Sequence, residues 1–216
     1  MIFTSIDFIV FFIFILGVVA IVKHRKFQHL ILLGGSYYFF YFSSNYLIVL
    51  LIFSTILDFY LAKLIYSTDN IFRKKLFLII SLVGNLGLLG FFKYSDFAIL
   101  QFNILGNYFD VGANIPFINL ILPLGISFYT FQTISYTIDV YRGTLKPSKT
   151  FSEFALFVAF FPQLVAGPIL RAKQFLPQLR EKMEDYEING NIRRILFKSA
   201  NVKFGITLMA FGFIKK

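Results

Sequence analysis

The chain contains no cysteine. Disulfide staples, thiolate metal sites and a cysteine nucleophile are therefore excluded. Tryptophan is also absent, and histidine occurs only at His24 and His29. Charge is scarce: 15% of residues are charged, where a soluble domain carries roughly 25%. Acidic groups are the scarcer kind, 11 against 21 lysines and arginines.

What remains is apolar. Hydrophobic residues make up 57% of the 216, and 31 are phenylalanine; the mean hydropathy is +0.73. A single water-soluble core of this size cannot hide that much apolar surface. The net charge of +10 would point to nucleic acid in a soluble protein. Here the basic residues sit in short runs between apolar stretches, the pattern of a cytoplasmic membrane face. The expected partner is membrane lipid, and no nucleic acid is expected.

Apolar runs predict the spans, since a bilayer core of about 30 Å takes about 20 helical residues. Ile2 to Val22 is the first. Its basic cluster, Lys23-His24-Arg25-Lys26, follows the apolar stretch, whereas a secretory leader has its charge in front. Phe27 to Phe42 and Tyr46 to Tyr66, joined by Ser43-Ser44-Asn45, read as a helical hairpin. Leu76 to Phe92 follows Arg73-Lys74-Lys75. Residues 1–92 thus read as four spanning helices. Residues 93–119, polar and aromatic with Gly106, Gly112 and Pro116, read as an outer loop with a short helix. Residues 120–216 read as a kinked core helix, a re-entrant Gly-Pro segment, a cytoplasmic amphipathic stretch and the start of a further helix. The predicted fold class is all-α, a polytopic transmembrane helical protein.

If the spans alternate, Lys23–Lys26, Arg73–Lys75 and Arg142–Lys149 share one side. Between Tyr94 and Tyr141 there is no lysine or arginine. Positive charge concentrates in the cytoplasm, which places the N-terminus outside. Lys93 dissents and can snorkel to the headgroups.

Several residues invite chemistry. Asp58 lies inside an apolar run, where an ionised carboxylate costs about 2.5–3.5 kcal/mol. It reads as a group bonded to a neighbouring helix, with a proton or substrate role as the alternative. His24 and His29 are five apart, off the three-or-four spacing of one helix face, and read as headgroup-level residues rather than general bases. Gly34, Gly35, Ser36, Gly84, Gly87 and Gly90 read as places of close helix approach.

The informative stretch is Leu122 to Arg171. Pro123 kinks or starts a helix, and polar groups follow at Ser127, Tyr129, Gln132, Ser135, Tyr136 and Asp139. Gln132, Tyr136 and Asp139 recur at i, i+4, i+7, one stripe on a helix that cannot face lipid. It either lines a cavity or bonds neighbouring helices. Asp139 and Arg142 stand acid-first at i, i+3, a favourable pair. The run before Pro162 is too short to span, and Gln163, Gly167, Pro168 and Arg171 follow. Irregular backbone at membrane depth survives only against protein or a water-filled cavity.

These residues resemble the membrane-bound O-acyltransferase family, and most closely its bacterial alginate O-acetyltransferase branch. The segments ISFYTFQTISYTIDVYRG, at Ile126 to Gly143, and FPQLVAGPILR, at Phe161 to Arg171, carry the resemblance. Weaker similarity lies at Phe92-Lys93-Tyr94 and Phe204 to Lys216. The resemblance implies a multi-helix enzyme of the bacterial cytoplasmic (inner) membrane. It takes an acyl group from a cytoplasmic thioester donor such as acetyl-CoA, with no bound cofactor. It passes the group to hydroxyls of an exported polysaccharide. On this reading Ser127, Tyr129, Gln132, Tyr136, Asp139, Arg142, Gln163, Gly167, Pro168 and Arg171 line the tunnel. Outer-side acetylation proteins are possible partners. Family members are longer, and the family's catalytic histidine falls beyond Lys216. No residue here is therefore assigned as catalytic. The chain is expected to be an N-terminal part, inactive by itself, with a C-terminal half conceivable as a second chain. The alternatives are D-alanine transfer to teichoic acid and a non-catalytic scaffold or transporter fragment.

Overall fold

Helices carry the architecture of the computed structural model, which describes residues 5–22, 25–109, 112, 114–123, 125–164, 171–177, 179 and 199–214. In order they are α1 (Ile6–Ile21), α2 (Arg25–Ser44), α3 (Ile48–Ser67), α4 (Ile71–Tyr108), α5 (Ile126–Tyr141), α6 (Phe151–Ala159) and the single turn α7 (Phe161–Leu164). A short helix over residues 172–177 and a last one, Ser199–Ile214, complete the described chain. Two helical runs, Phe27–Ser67 and Ile71–Tyr108, are long and apolar enough to cross a membrane. The protein is all-helical among the described residues, as the composition requires.

Side-chain caps set the starts. Ser5 Oγ accepts from the Phe8 amide at 3.2 Å. Asn70 Oδ1 accepts from the Phe72 and Arg73 amides at 2.9 and 3.2 Å. Thr150 Oγ1 accepts from the Glu153 amide at 3.3 Å, while Glu153 Oε2 accepts from the Lys149 amide at 3.1 Å. Each bond satisfies a donor that a helix start would leave unpaired.

Between α2 and α3 the chain turns through a short 3-10 segment, Asn45–Leu47, with Asn45 at φ 49°. The two helices part after the turn instead of lying together as a hairpin. α2 packs chiefly on α6 and α1, and α3 on α4 and α5.

The predicted outer loop is corrected over most of its length: α4 runs unbroken to Tyr108. Its 38 residues extend about 57 Å at 1.5 Å per residue, longer than a bilayer with headgroups, about 40–45 Å. Hydropathy falls at Lys93 because the helix leaves the apolar layer, not because it ends. The sequence from Lys93 to Leu105 holds neither glycine nor proline, so nothing local breaks it. The returning chain is strapped to this projecting end. Asn103 Nδ2 donates to the Ile115 carbonyl at 2.9 Å, and its Oδ1 accepts from the Ile115 amide at 2.8 Å. Asp96 Oδ1 accepts from the Ile118 and Asn119 amides at 2.9 and 3.3 Å.

These pairings fix direction. Ile115 lies beside Asn103, Ile118 beside Asp96, and Thr133 beside Asn85, so α5 runs antiparallel to α4. The short connection after Ser67 makes α3 antiparallel to α4 as well. The end of α3, the start of α4 and the end of α5 therefore share one end of the bundle. Lys63, Arg73–Lys75 and Arg142–Lys149 collect there.

Close approach occurs at some of the expected glycines. A Cβ on Gly84 would lie 2.7 Å from Leu57 Cδ2, and one on Gly35 2.8 Å from Ile15 Cδ1. Gly34, Gly87 and Gly90 meet no neighbouring atom within 4 Å. Of the two readings of Pro123, kinking or starting a helix, the structure bears out the second. The proline precedes the helix, whose N-cap is Gly125 at φ 71°, outside helical backbone and disfavoured for residues with a Cβ. A Cβ there would also lie 2.6 Å from the Leu164 carbonyl oxygen. This contact seats α7 against the start of α5.

Candidate functional site

The polar residues of α5 divide into three groups. Gln132 and Tyr136 are buried and bonded to the α6 region. Gln132 Nε2 donates to the Phe157 carbonyl at 2.7 Å, and Tyr136 Oη accepts from the Ser148 amide at 3.0 Å. The Tyr136 ring packs 4.3 Å from that of Phe154. These side chains satisfy backbone groups that α6 and its entry loop would otherwise bury unpaired. Of the two readings offered by the stripe, bonding to neighbouring helices holds for both.

The stripe then turns outward. Asp139 is half-buried and Arg142 exposed. No ion pair joins them among the described residues. Asp139 instead belongs to the helix end. Its carbonyl accepts from the Thr144 amide at 3.0 Å while the Gly143 amide reaches Val140 O at 3.0 Å, the Schellman arrangement with a left-handed glycine. Thr144 Oγ1 lies 3.4 Å from Asp139 Oδ1.

The third group is unpartnered. Tyr129 is 1% exposed and Gln163 8%, yet the Tyr129 hydroxyl and both amide atoms of Gln163 lack a hydrogen-bond partner among the described residues. Tyr129 sits one turn above Gly125, and Leu164, the neighbour of Gln163, packs into the same cluster as Tyr129 and Ile126. Both residues thus flank the α5–α7 junction. Tyr141, at the basic end, lies 15 residues beyond Ile126, about 22 Å away along the axis. Unsatisfied buried polar groups are uncommon and call for a water, a ligand or a catalytic use. Ser127 is half-buried on α5, and Arg171 is exposed. Gly167 and Pro168 lie outside the described residues, as does His24. His29 is half-buried in the second turn of α2.

The residues that sequence reading missed surround Asp58. This carboxylate is fully buried. It accepts from Ser81 Oγ and, at 2.8 Å, from Asn85 Nδ2. Thr133 and Thr137 of α5 lie within reach of it, their hydroxyls donating to the Thr130 and Thr133 carbonyls at 3.1 and 3.3 Å. Thr133 Oγ1 also lies 3.4 Å from Asn85 Oδ1. The signal existed: Ser81/Asn85 and Thr133/Thr137 are both i, i+4 polar pairs in apolar helices.

Sequence comparison finds O-acetyltransferases among the proteins similar to this chain. The chain is 32% identical to a peptidoglycan O-acetyltransferase of Helicobacter pylori over 188 residues, 76% of this chain and 33% of that protein. It is 44% identical over 107 residues to a probable alginate O-acetylase, AlgI, of Pseudomonas aeruginosa, covering 49% of this chain and 20% of that one. The Azotobacter vinelandii counterpart is 42% identical over 107 residues. The chain thus spans 33% of the length of the first relative and 20% of the second. No family model matches it, and no solved structure does.

Proposed function

We propose that this chain forms part of a multi-pass O-acetyltransferase in a bacterial cytoplasmic membrane, with its N-terminus outside. A thioester donor such as acetyl-CoA approaches the basic end of the bundle, and hydroxyls of an exported cell-surface polysaccharide receive the acetyl group from the opposite end. The observation that carries this reading is the buried, unpartnered Tyr129 and Gln163 at the end of α5 remote from the basic cluster. They offer polar contacts where an acceptor hydroxyl would arrive. An alcohol needs a base to become a nucleophile at neutral pH, and none of the polar side chains at this junction is a histidine. We therefore expect transfer to require a group supplied by further chain or a second subunit.

The test is to express residues 1–216 in a host lacking its own O-acetylase, alone or with the C-terminal part of a relative as a second chain. Alkali-labile acetate on the exported polymer is then measured. None is expected from residues 1–216 alone, and ester is expected with the second chain. Ester from residues 1–216 alone would place the base among them, and no ester in either case would count against the acyltransferase reading.

The shared end of α3, α4 and α5 supports the orientation. Because the chain has no cysteine, single cysteines can be placed without background. At Asn107 a cysteine should react with an impermeant maleimide in intact cells, while at Ser67 and Lys146 it should react only after permeabilisation. The reverse pattern would invert the topology.

A further inference from the structure

The Asp58 cluster has a composition that acyl transfer does not explain. Three helices bring together the Asp58 carboxylate, the hydroxyls of Ser81, Thr133 and Thr137, and the amide of Asn85. Asp58, Ser81, Thr133 and Thr137 are 0% exposed, and Asn85 is 1% exposed. Asp58 lies nine residues before the end of α3, about 14 Å from the basic end, near mid-bilayer depth.

Asp58 makes no ion pair among the described residues. The next lysine along α3, Lys63, is spent over the Phe59 ring at 4.2 Å. The nearby titratable groups of the packed elements, Tyr136 and Glu153, bring no positive charge. Hydrogen bonds from neutral groups lower the cost of a buried carboxylate but do not cancel its charge. Asn85 turns Nδ2 to the carboxylate and to the Ser81 carbonyl at 2.9 Å, leaving Oδ1 with only the 3.4 Å approach of Thr133.

We propose that the Asp58 cluster is a sodium site, in which Asp58, Ser81, Asn85 Oδ1, Thr133 and Thr137 coordinate one ion between α3, α4 and α5. Hard cations take oxygen ligands, and every group here offers one. A single carboxylate balances a single positive charge. A divalent ion would be left undercompensated, and no group of three or more His, Cys, Asp or Glu suited to a metal occurs among the described residues. The ion would tie together the three helices that hold the α5 end of the acyl-transfer site, without taking part in the reaction.

The test is thermal unfolding of the purified full chain in detergent, in sodium chloride against N-methylglucamine chloride at equal ionic strength. Saturating sodium should raise Tm by about 5–10 °C. Asp58→Asn should abolish the shift. Should that variant fail to fold, the double variant Thr133→Val with Thr137→Val should shrink it. Equal Tm in both salts would overturn the proposal, and so would a shift that survives Asp58→Asn. Stabilisation by acid in the absence of any sodium effect would show that a proton neutralises Asp58 instead, and would also overturn it. The readout does not involve transfer, so it stands or falls apart from the acyltransferase reading.

Discussion

Replacing Asp58 with leucine should destabilise the protein by roughly 2–4 kcal/mol. Leucine matches the volume but accepts no hydrogen bond. Ser81 and Asn85 each lose an acceptor, and Thr133 and Thr137 lose a polar neighbour. The α5 hydroxyls keep bonds they already make: Thr137 Oγ1 to the Thr133 carbonyl at 3.3 Å, and Thr133 Oγ1 to the Thr130 carbonyl at 3.1 Å. Asn85 Nδ2 keeps the Ser81 carbonyl. These retained bonds keep the loss to that of the Ser81 and Asn85 contacts and the buried site they fill. Asp58→Asn preserves the shape and one acceptor oxygen, so it should cost about half as much. Denaturation of purified protein in mixed micelles reads both. A loss below about 0.5 kcal/mol for leucine would mean that the cluster contributes nothing net.

The second large effect falls on transfer, with the opposite sign in stability. Among the described residues, Gln163→Leu removes a buried amide that has no partner, and Tyr129→Phe removes an unpartnered hydroxyl. Deleting an unsatisfied polar group relieves its desolvation cost, so each variant should be as stable as the parent, or more so by about 1 kcal/mol. Ester formation in the assembly that transfers acetyl should nonetheless fall at least about tenfold, equivalent to about 1.4 kcal/mol of transition-state stabilisation. Most buried substitutions lose stability and activity together. A gain in one with a loss in the other identifies groups kept polar for a ligand. Thermal unfolding together with alkali-labile acetate decides it. Unchanged ester formation in both variants would reduce the junction to packing.

Gln132 and Tyr136 show the complementary case. They stood out for the same reason as Tyr129, being polar on an apolar helix. Yet their atoms are consumed by the Phe157 carbonyl and the Ser148 amide. Periodicity places a side chain on a face; it does not tell whether a backbone group waits opposite.

Composition and apolar run length alone determined that this chain is helical and lipid-embedded, because a backbone in hydrocarbon must satisfy its own hydrogen bonds. They also located where apolar character gives way, at Lys93. The caps at Ser5, Asn70, Thr150 and Gly143 are local chemistry, yet they were recognised only in the structure. Tertiary structure decided what depends on partners distant in sequence. α4 continues past its apolar part because Asp96 and Asn103 take up the returning chain, 22 and 12 residues away. Asp58 became one side of a three-helix cluster because Ser81, Asn85, Thr133 and Thr137 arrive from α4 and α5. Asp139 and Arg142 do not pair among the described residues: Asp139 is half-buried, and Arg142 is exposed at the helix cap. Hydropathy reports the solvent each residue prefers, but only packing fixes which polar groups meet.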